Sequence, residues 1–202
     1  MSVIFVVFGY LCGSVLYAQV FAKIFKKENI IKDSKDKNPG TANAFKYGGF
    51  WCGALTLLCD IAKGLLPVLL FMKTQTDFSV LSFVMAAPVL GHIFPLFNKF
   101  KGGKGIAVTF GSLLGIMPIW RPFVSLAACF IFFSVVLRIT SHYHRTLATY
   151  PCALLCMMLL GEQTVVIIGF LIITSAVYVR MLTSSEEKQR TEIKLLWFNN
   201  DI

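Results

Sequence analysis

Two segments of the chain carry residue types whose spacing suits anion chemistry. Residues 91 to 111 read GHIFPLFNKFKGGKGIAVTFG, and the stretch Lys101-Gly102-Gly103-Lys104-Gly105 turns between two apolar runs. Three glycines let consecutive backbone N–H groups point at one anion, the following helix adds the positive end of its dipole, and two lysines supply full charge. Phosphate is the ligand that suits this arrangement. The run is not a nucleotide-binding P-loop, because it lacks the first glycine at the required spacing and has Gly105 where Ser or Thr should follow the lysine. Nucleotide hydrolysis is therefore disfavoured.

The second segment, residues 33 to 49, reads DSKDKNPGTANAFKYGG and is dense in hydrogen-bonding and turn residues: Asn38, Gly40, Thr41, Asn43 and Lys46. Pro39 followed by Gly40 sets a turn. A plain basic loop that orients the chain in a membrane would account for the lysines but not for the Asn/Thr/Asn cluster. His92, near the end of an apolar run, is open to two readings: a proton carrier or phosphate donor, or a structural hydrogen bonder. Asp60 and Lys63, three apart on one helix face, are either an ion pair closing a bundle or one wall of a substrate groove. Gly13 and Ser14 interrupt the first apolar run, where small residues permit close helix contact.

The elements that position these residues follow from composition. Hydrophobic residues make up 56% and charged residues 14% of the 202-residue chain, against about 25% charged in a soluble domain. Runs near the roughly 20 residues that span a bilayer lie at 3 to 25, 50 to 72, 78 to 97, 119 to 138 and 163 to 181. Shorter runs at 105 to 117 and 147 to 160 are marginal and could be tilted or re-entrant. The first run follows only Met-Ser, without a basic leader region or a small-residue cleavage pattern, and is expected to be retained as a helix.

If all seven runs cross with the N-terminus outside, fifteen cations share one face: Lys26, Lys27, Lys32, Lys35, Lys37, Lys46, Lys99, Lys101, Lys104, Arg138, Arg145, Arg180, Lys188, Arg190 and Lys194. Only Lys73 and Arg121 fall on the other. This asymmetry predicts an all-α integral membrane bundle of seven transmembrane helices, C-terminus cytoplasmic, as a single domain over residues 1–202. The net charge of +9 then points to an anionic membrane surface or anionic substrates, with no nucleic acid expected. The six cysteines lie in or beside apolar runs and read as apolar fillers. His142 and His144 read as part of a wet basic loop with Arg145. No metal or organic cofactor is expected, since His, Cys and carboxylates do not stand at ligand spacing.

Together these residues resemble the acyl-phosphate-dependent glycerol-3-phosphate acyltransferases of bacteria, the PlsY type. The resemblance runs in order through Gly13-Ser14, N-P-G-T-A-N from Asn38, D-x-x-K-G (Asp60, Lys63, Gly64), G-H-x-F-P (Gly91 to Pro95) and F-K-G-G-K-G (Phe100 to Gly105). It implies a seven-helix enzyme of the bacterial cytoplasmic membrane. Such an enzyme moves an acyl chain from acyl phosphate to the 1-hydroxyl of glycerol 3-phosphate, giving lysophosphatidic acid and phosphate. Lys101, Lys104 and the Gly102 to Gly105 backbone would then hold one phosphate, with Asn38, Gly40, Thr41, Asn43 and Lys46 around the other. His92 and Lys104 are the catalytic candidates, and Ser14, Asp60 and Lys63 line the groove. The chain departs from the family pattern in having Asp36-Lys37-Asn38 for S-G-N, Lys46 where an arginine falls, and no H-R-x-N run in residues 180 to 202. Two other classes fit the same residues: a transporter or flippase of a phosphorylated metabolite, using Asp60 and Lys63 as a pathway, and a non-catalytic membrane relative. The absence of an inverted repeat counts against the transporter.

Overall fold

A computed structural model describes residues 2–26, 34, 38–75, 77–184 and 192–195. Lys27, Lys32, Lys35, Asp36, Lys37, Lys188 and Arg190 lie outside the described residues, as does most of the tail over residues 180 to 202 that departs from the family pattern. The apolar runs fold as helices: α1 (Val3–Ser14), α2 (Tyr17–Ile24), α3 (Thr41–Gly48), α4 (Phe50–Thr74), α5 (Leu81–Ile93), α6 (Ile106–Gly115), α7 (Arg121–Ile131), α8 (His142–Leu159) and α9 (Thr164–Leu182). Among the described residues, four helical stretches are long and apolar enough to cross a membrane: Val3–Ile24, Phe50–Thr74, Leu81–Asn98 and Thr164–Leu182. Their outward faces carry large apolar side chains such as Ile4, Trp51, Leu58, Leu66, Phe83 and Leu171, the surface that lipid, not water, satisfies.

Several expectations are corrected. The first run is broken, α1 ending at Ser14 and α2 starting at Tyr17. Residues 41–48, read as loop, form α3; its Ala44 packs with Ala18 and Ala22 of α2 and Cys52 of α4 in a cluster of small buried side chains. α6 has ten residues, about 15 Å at 1.5 Å per residue and half the roughly 30 Å hydrocarbon thickness. α8 has 18 residues because its polar first turn, His142 to Thr146, is helical too. Apolar-run length cannot register a polar turn. The chain is also not wholly helical among the described residues: β1 (Leu137–Ile139) pairs antiparallel with β2 (Ile193–Leu195), Arg138 opposite Lys194.

The core is one cluster in which α5 is most enclosed, with Val84, Met85, Val89 and Ile93 at 0% exposure. α4 and α6 approach closely, Gly64 lying against the Val108 carbonyl and Gly111 against that of Ile61. Such contact is how helices associate where lipid removes the hydrophobic drive. Pro151, inside α8, has no N–H to give the carbonyl four residues earlier. That carbonyl, Leu147 O, accepts the Tyr178 hydroxyl of α9 instead.

Three of the six cysteines, expected as separate fillers, meet: Cys129 of α7 with Cys152 and Cys156 of α8.

Candidate active site

A cavity of about 510 Å³ joins the two polar segments. Asn38, Gly40, Thr41 and Asn43 line one side; Lys104, Gly105, Ile106 and Ala107 line the other, with His92, Asp60 and His142 between them. Leu57 and Phe110 complete an apolar wall with Ile106.

The glycine loop differs from a simple amide cradle. Gly103 N–H donates to His92 O at 3.0 Å, and the carbonyls of Gly102 and Gly103 accept from Arg180 Nη2 (2.7 Å) and Nε (3.3 Å). Gly102 and Gly103 are buried behind the cavity instead of lining it. Gly103 must lack a side chain, since a Cβ there would overlap His92 Nε2. Gly105, at φ +83°, is the left-handed N-cap that turns the chain into α6. The loop is therefore a packed shelf. The part of it that meets the cavity is Lys104 with the first residues of α6, where helix amides have no intrahelical acceptor. Arg180, at the C-terminal end of α9, was read only as a cytoplasmic charge; nothing in its sequence context signals that it pins a loop 77 residues away.

Behind the cavity wall lies a buried polar node. Lys63 Nζ is 2.8 Å from Asp60 Oδ1, 2.6 Å from Val15 O and 2.8 Å from His92 Nδ1. Lys63, Asp60 and His92 are each at most 4% exposed. The break between α1 and α2 leaves the Val15 carbonyl outside either helix, so it can take a side-chain donor. An ammonium donates and cannot accept, so the 2.8 Å contact with a charged Lys63 makes His92 Nδ1 the acceptor. The His92 proton then resides on Nε2, and the ring is neutral. Thr41 Oγ1 donates to Asp60 Oδ2 at 3.4 Å, tying α3 to the node, and Asn43 Nδ2 donates to Asn38 O at 2.8 Å.

Other sequence candidates lie elsewhere. Ser14 is off the cavity: its hydroxyl donates to Tyr10 O (2.8 Å) and accepts from Leu96 N–H (3.2 Å), stitching α1 to the turn after α5. Lys63 is sealed within the node and does not line the cavity, whereas Asp60 does. Lys46 is exposed, its Nζ 5.3 Å from the Tyr47 ring centroid, and Lys101 is exposed as well.

His142 was missed. It read as loop because a polar stretch separates it from the nearest apolar run, yet the β1 strand and the start of α8 bring it onto the cavity. Thr146 Oγ1 lies 2.9 Å from His142 O and 3.3 Å from His142 Nδ1.

Comparison with known proteins agrees with this architecture. The profile of the family "Glycerol-3-phosphate acyltransferase" matches residues 3–189. A glycerol-3-phosphate acyltransferase of Actinobacillus pleuropneumoniae serotype 5b is 42% identical over 111 residues, 55% of this chain and 56% of that one. One from Photorhabdus laumondii is 30% identical over 167 residues, 77% of this chain and 76% of that one. The chain thus spans about half the length of the former. Among solved structures, the crystal structure of PlsY, an integral membrane glycerol 3-phosphate acyltransferase, superposes in its glycerol 3-phosphate form with a TM-score of 0.73. It is 28% identical, over 89% of this chain and 87% of that one. The lysophosphatidic acid form gives 0.71. With a family profile matched across nearly the whole chain and the same helical architecture in a membrane protein of that family, the chain is a multi-pass membrane protein that belongs to the PlsY-type glycerol-3-phosphate acyltransferase family.

Proposed function

We propose that the chain transfers an acyl group from acyl phosphate to the 1-hydroxyl of glycerol 3-phosphate, releasing phosphate and lysophosphatidic acid. The observation that carries this reading is the single cavity in which both polar segments and an apolar wall meet. Two phosphate-bearing reactants need two anion sites, and an acyl tail needs an apolar surface beside them.

Acyl phosphate is a mixed anhydride with a good leaving group, so no protein nucleophile is required. The acceptor hydroxyl oxygen attacks the acyl carbonyl carbon, the carbon–oxygen bond to phosphate breaks, and phosphate leaves with the bonding pair. Lys104 and the amides at the start of α6 hold one phosphate, where charge and helix dipole stabilise the developing anion. Asn38, Thr41 and Asn43, on α3 and the turn before it, surround the other. His142, on the cavity wall, takes the hydroxyl proton, and neutral His92, held by Lys63, donates from Nε2 to an oxygen of the reacting group. Leu57, Ile106 and Phe110 take the proximal acyl chain. Lys46 and Lys101, exposed and outside the cavity lining, add to the positive potential that raises the local concentration of anionic substrate.

The reading is tested by phosphate release from palmitoyl phosphate with and without glycerol 3-phosphate, using purified protein in detergent. Release that requires the acceptor is expected. His142→Ala lowers kcat by about 100-fold, the low end for general-base catalysis, while KM for the acceptor changes little. Acceptor-independent release, or none from folded protein, would end this assignment.

The same reading places seven crossings with the N-terminus outside and the cavity facing the cytoplasm of a bacterial cell membrane. It is supported by fifteen cations against two across the two faces. In intact cells, a membrane-impermeant maleimide should label Lys73→Cys and reach Lys99→Cys only after permeabilisation. Labelling in the reverse order would invert the topology.

A further inference from the structure

Cys129, Cys152 and Cys156 have no part in the reaction above, and their chemistry is separable from it. Cys152 and Cys156 stand four residues apart on one face of α8, and Cys129 of α7 faces both. Their three sulfur atoms lie within 4.8 Å of one another. All three are free thiols. Cys152 and Cys156 are ten and fourteen residues beyond His142, about 15 and 21 Å along α8, so the trio is remote from the active cavity.

A second cavity, of about 350 Å³, reaches two of the three thiols. Cys129 and Cys156 line it, with Trp120, Val124 and Leu160 as apolar wall and Arg121 as a charged lining residue. An atom bonded to three sulfurs at about 2.3 Å holds them no more than about 4.0 Å apart. The thiols stand near that separation, and modest rotation about their χ1 bonds covers the difference.

Charge decides which soft ion fits. Three thiolates around a monovalent or divalent cation leave a net negative complex in apolar surroundings, which burial penalises. Around a trivalent centre the complex is neutral. The cation itself would also have to pass Arg121, whereas the hydroxide of trivalent arsenic is uncharged. We propose that Cys129, Cys152 and Cys156 form a three-thiol site for trivalent arsenic and its heavier relatives. The step balances as As(OH)3 + 3 R–SH → As(SR)3 + 3 H2O: three arsenic–oxygen bonds break, three arsenic–sulfur bonds form, each thiol proton leaves in a water molecule, and no atom changes oxidation state. Sulfur ligation suits such a soft centre.

The test uses arsenite and the full chain in detergent, reduced beforehand. After desalting, bound arsenic is measured, and the protein is unfolded and alkylated to show which cysteines are protected. One arsenic per chain is expected, with Cys129, Cys152 and Cys156 protected and Cys12, Cys52 and Cys59 alkylated. Cys156→Ser, at a half-buried position, and Cys129→Ser should each lower retained arsenic at least tenfold, while Cys12→Ala retains it. Protection of other cysteines, unchanged retention in both serine variants, or no retention by the wild-type chain would overturn the site. Equal retention of zinc would overturn its assignment to a trivalent ion. None of these readouts depends on acyl transfer.

Discussion

Lys104→Ala is expected to lower kcat/KM for acyl transfer by about 1,000-fold, the upper range for removing one group aimed at developing charge. Lys104 is the lysine of the glycine loop that lines the active cavity; Lys101, three residues away, is exposed. A phosphate leaving an acyl carbon gains negative charge as the bond breaks, and a lysine fixed beside a helix N-terminus strengthens its interaction during that step. The loss should therefore appear mainly in kcat. Lys104→Arg restores the charge but brings a planar fork in place of a compact ammonium, and recovers only part of the rate. Lys73→Ala, at the far end of α4, serves as control and should remain within twofold. Steady-state phosphate release decides the matter. An unchanged rate in Lys104→Ala would leave the helix N-terminus alone to hold the phosphate and remove the lysine from the mechanism.

Lys63→Ala should destabilise the fold by about 3–5 kcal/mol, the cost of stripping the partner from a buried charge. Asp60 is 2% exposed and has Lys63 Nζ at 2.8 Å, so truncation leaves its carboxylate with Thr41 at 3.4 Å as the remaining hydrogen bond shown. His92 Nδ1 and Val15 O lose their donor at the same stroke. The double variant Asp60→Leu/Lys63→Met removes both charges and should recover most of the thermal stability, since an apolar pair of similar volume often replaces a buried ion pair at little cost. It should not recover activity, because nothing then holds the His92 ring in its tautomer. Thermal unfolding in detergent alongside the phosphate-release assay separates the two effects. If Lys63→Ala unfolds at the wild-type temperature, water reaches the pair and the node is not the closed structure described above.

The sequence by itself determined that the chain lies in a membrane, because hydropathy depends on composition over about 20 residues and needs no partner. It also determined the chemistry of the two polar segments, since glycine, lysine and asparagine types are read directly from the order of letters. Apolar runs located most helices to within a few residues. What they could not show is whether a small insert such as Gly13-Ser14 ends a helix, as it does just before Val15-Leu16, or where a helix continues through polar residues, as at His142 to Thr146. Both depend on contacts with other elements.

Only the tertiary structure decided how the candidates are used. Gly102 and Gly103 pack as a shelf because Arg180 and His92, distant in sequence, occupy their carbonyls and amide. Lys63 became the anchor of His92 rather than a cavity wall because the break after α1 presented a carbonyl to it. His142 entered the cavity, and three apolar fillers became a thiol cluster, through the packing of α7 and α8. Each outcome turns on which side chains meet across long sequence separations, and that information belongs to pairs of elements, not to any one segment of the chain.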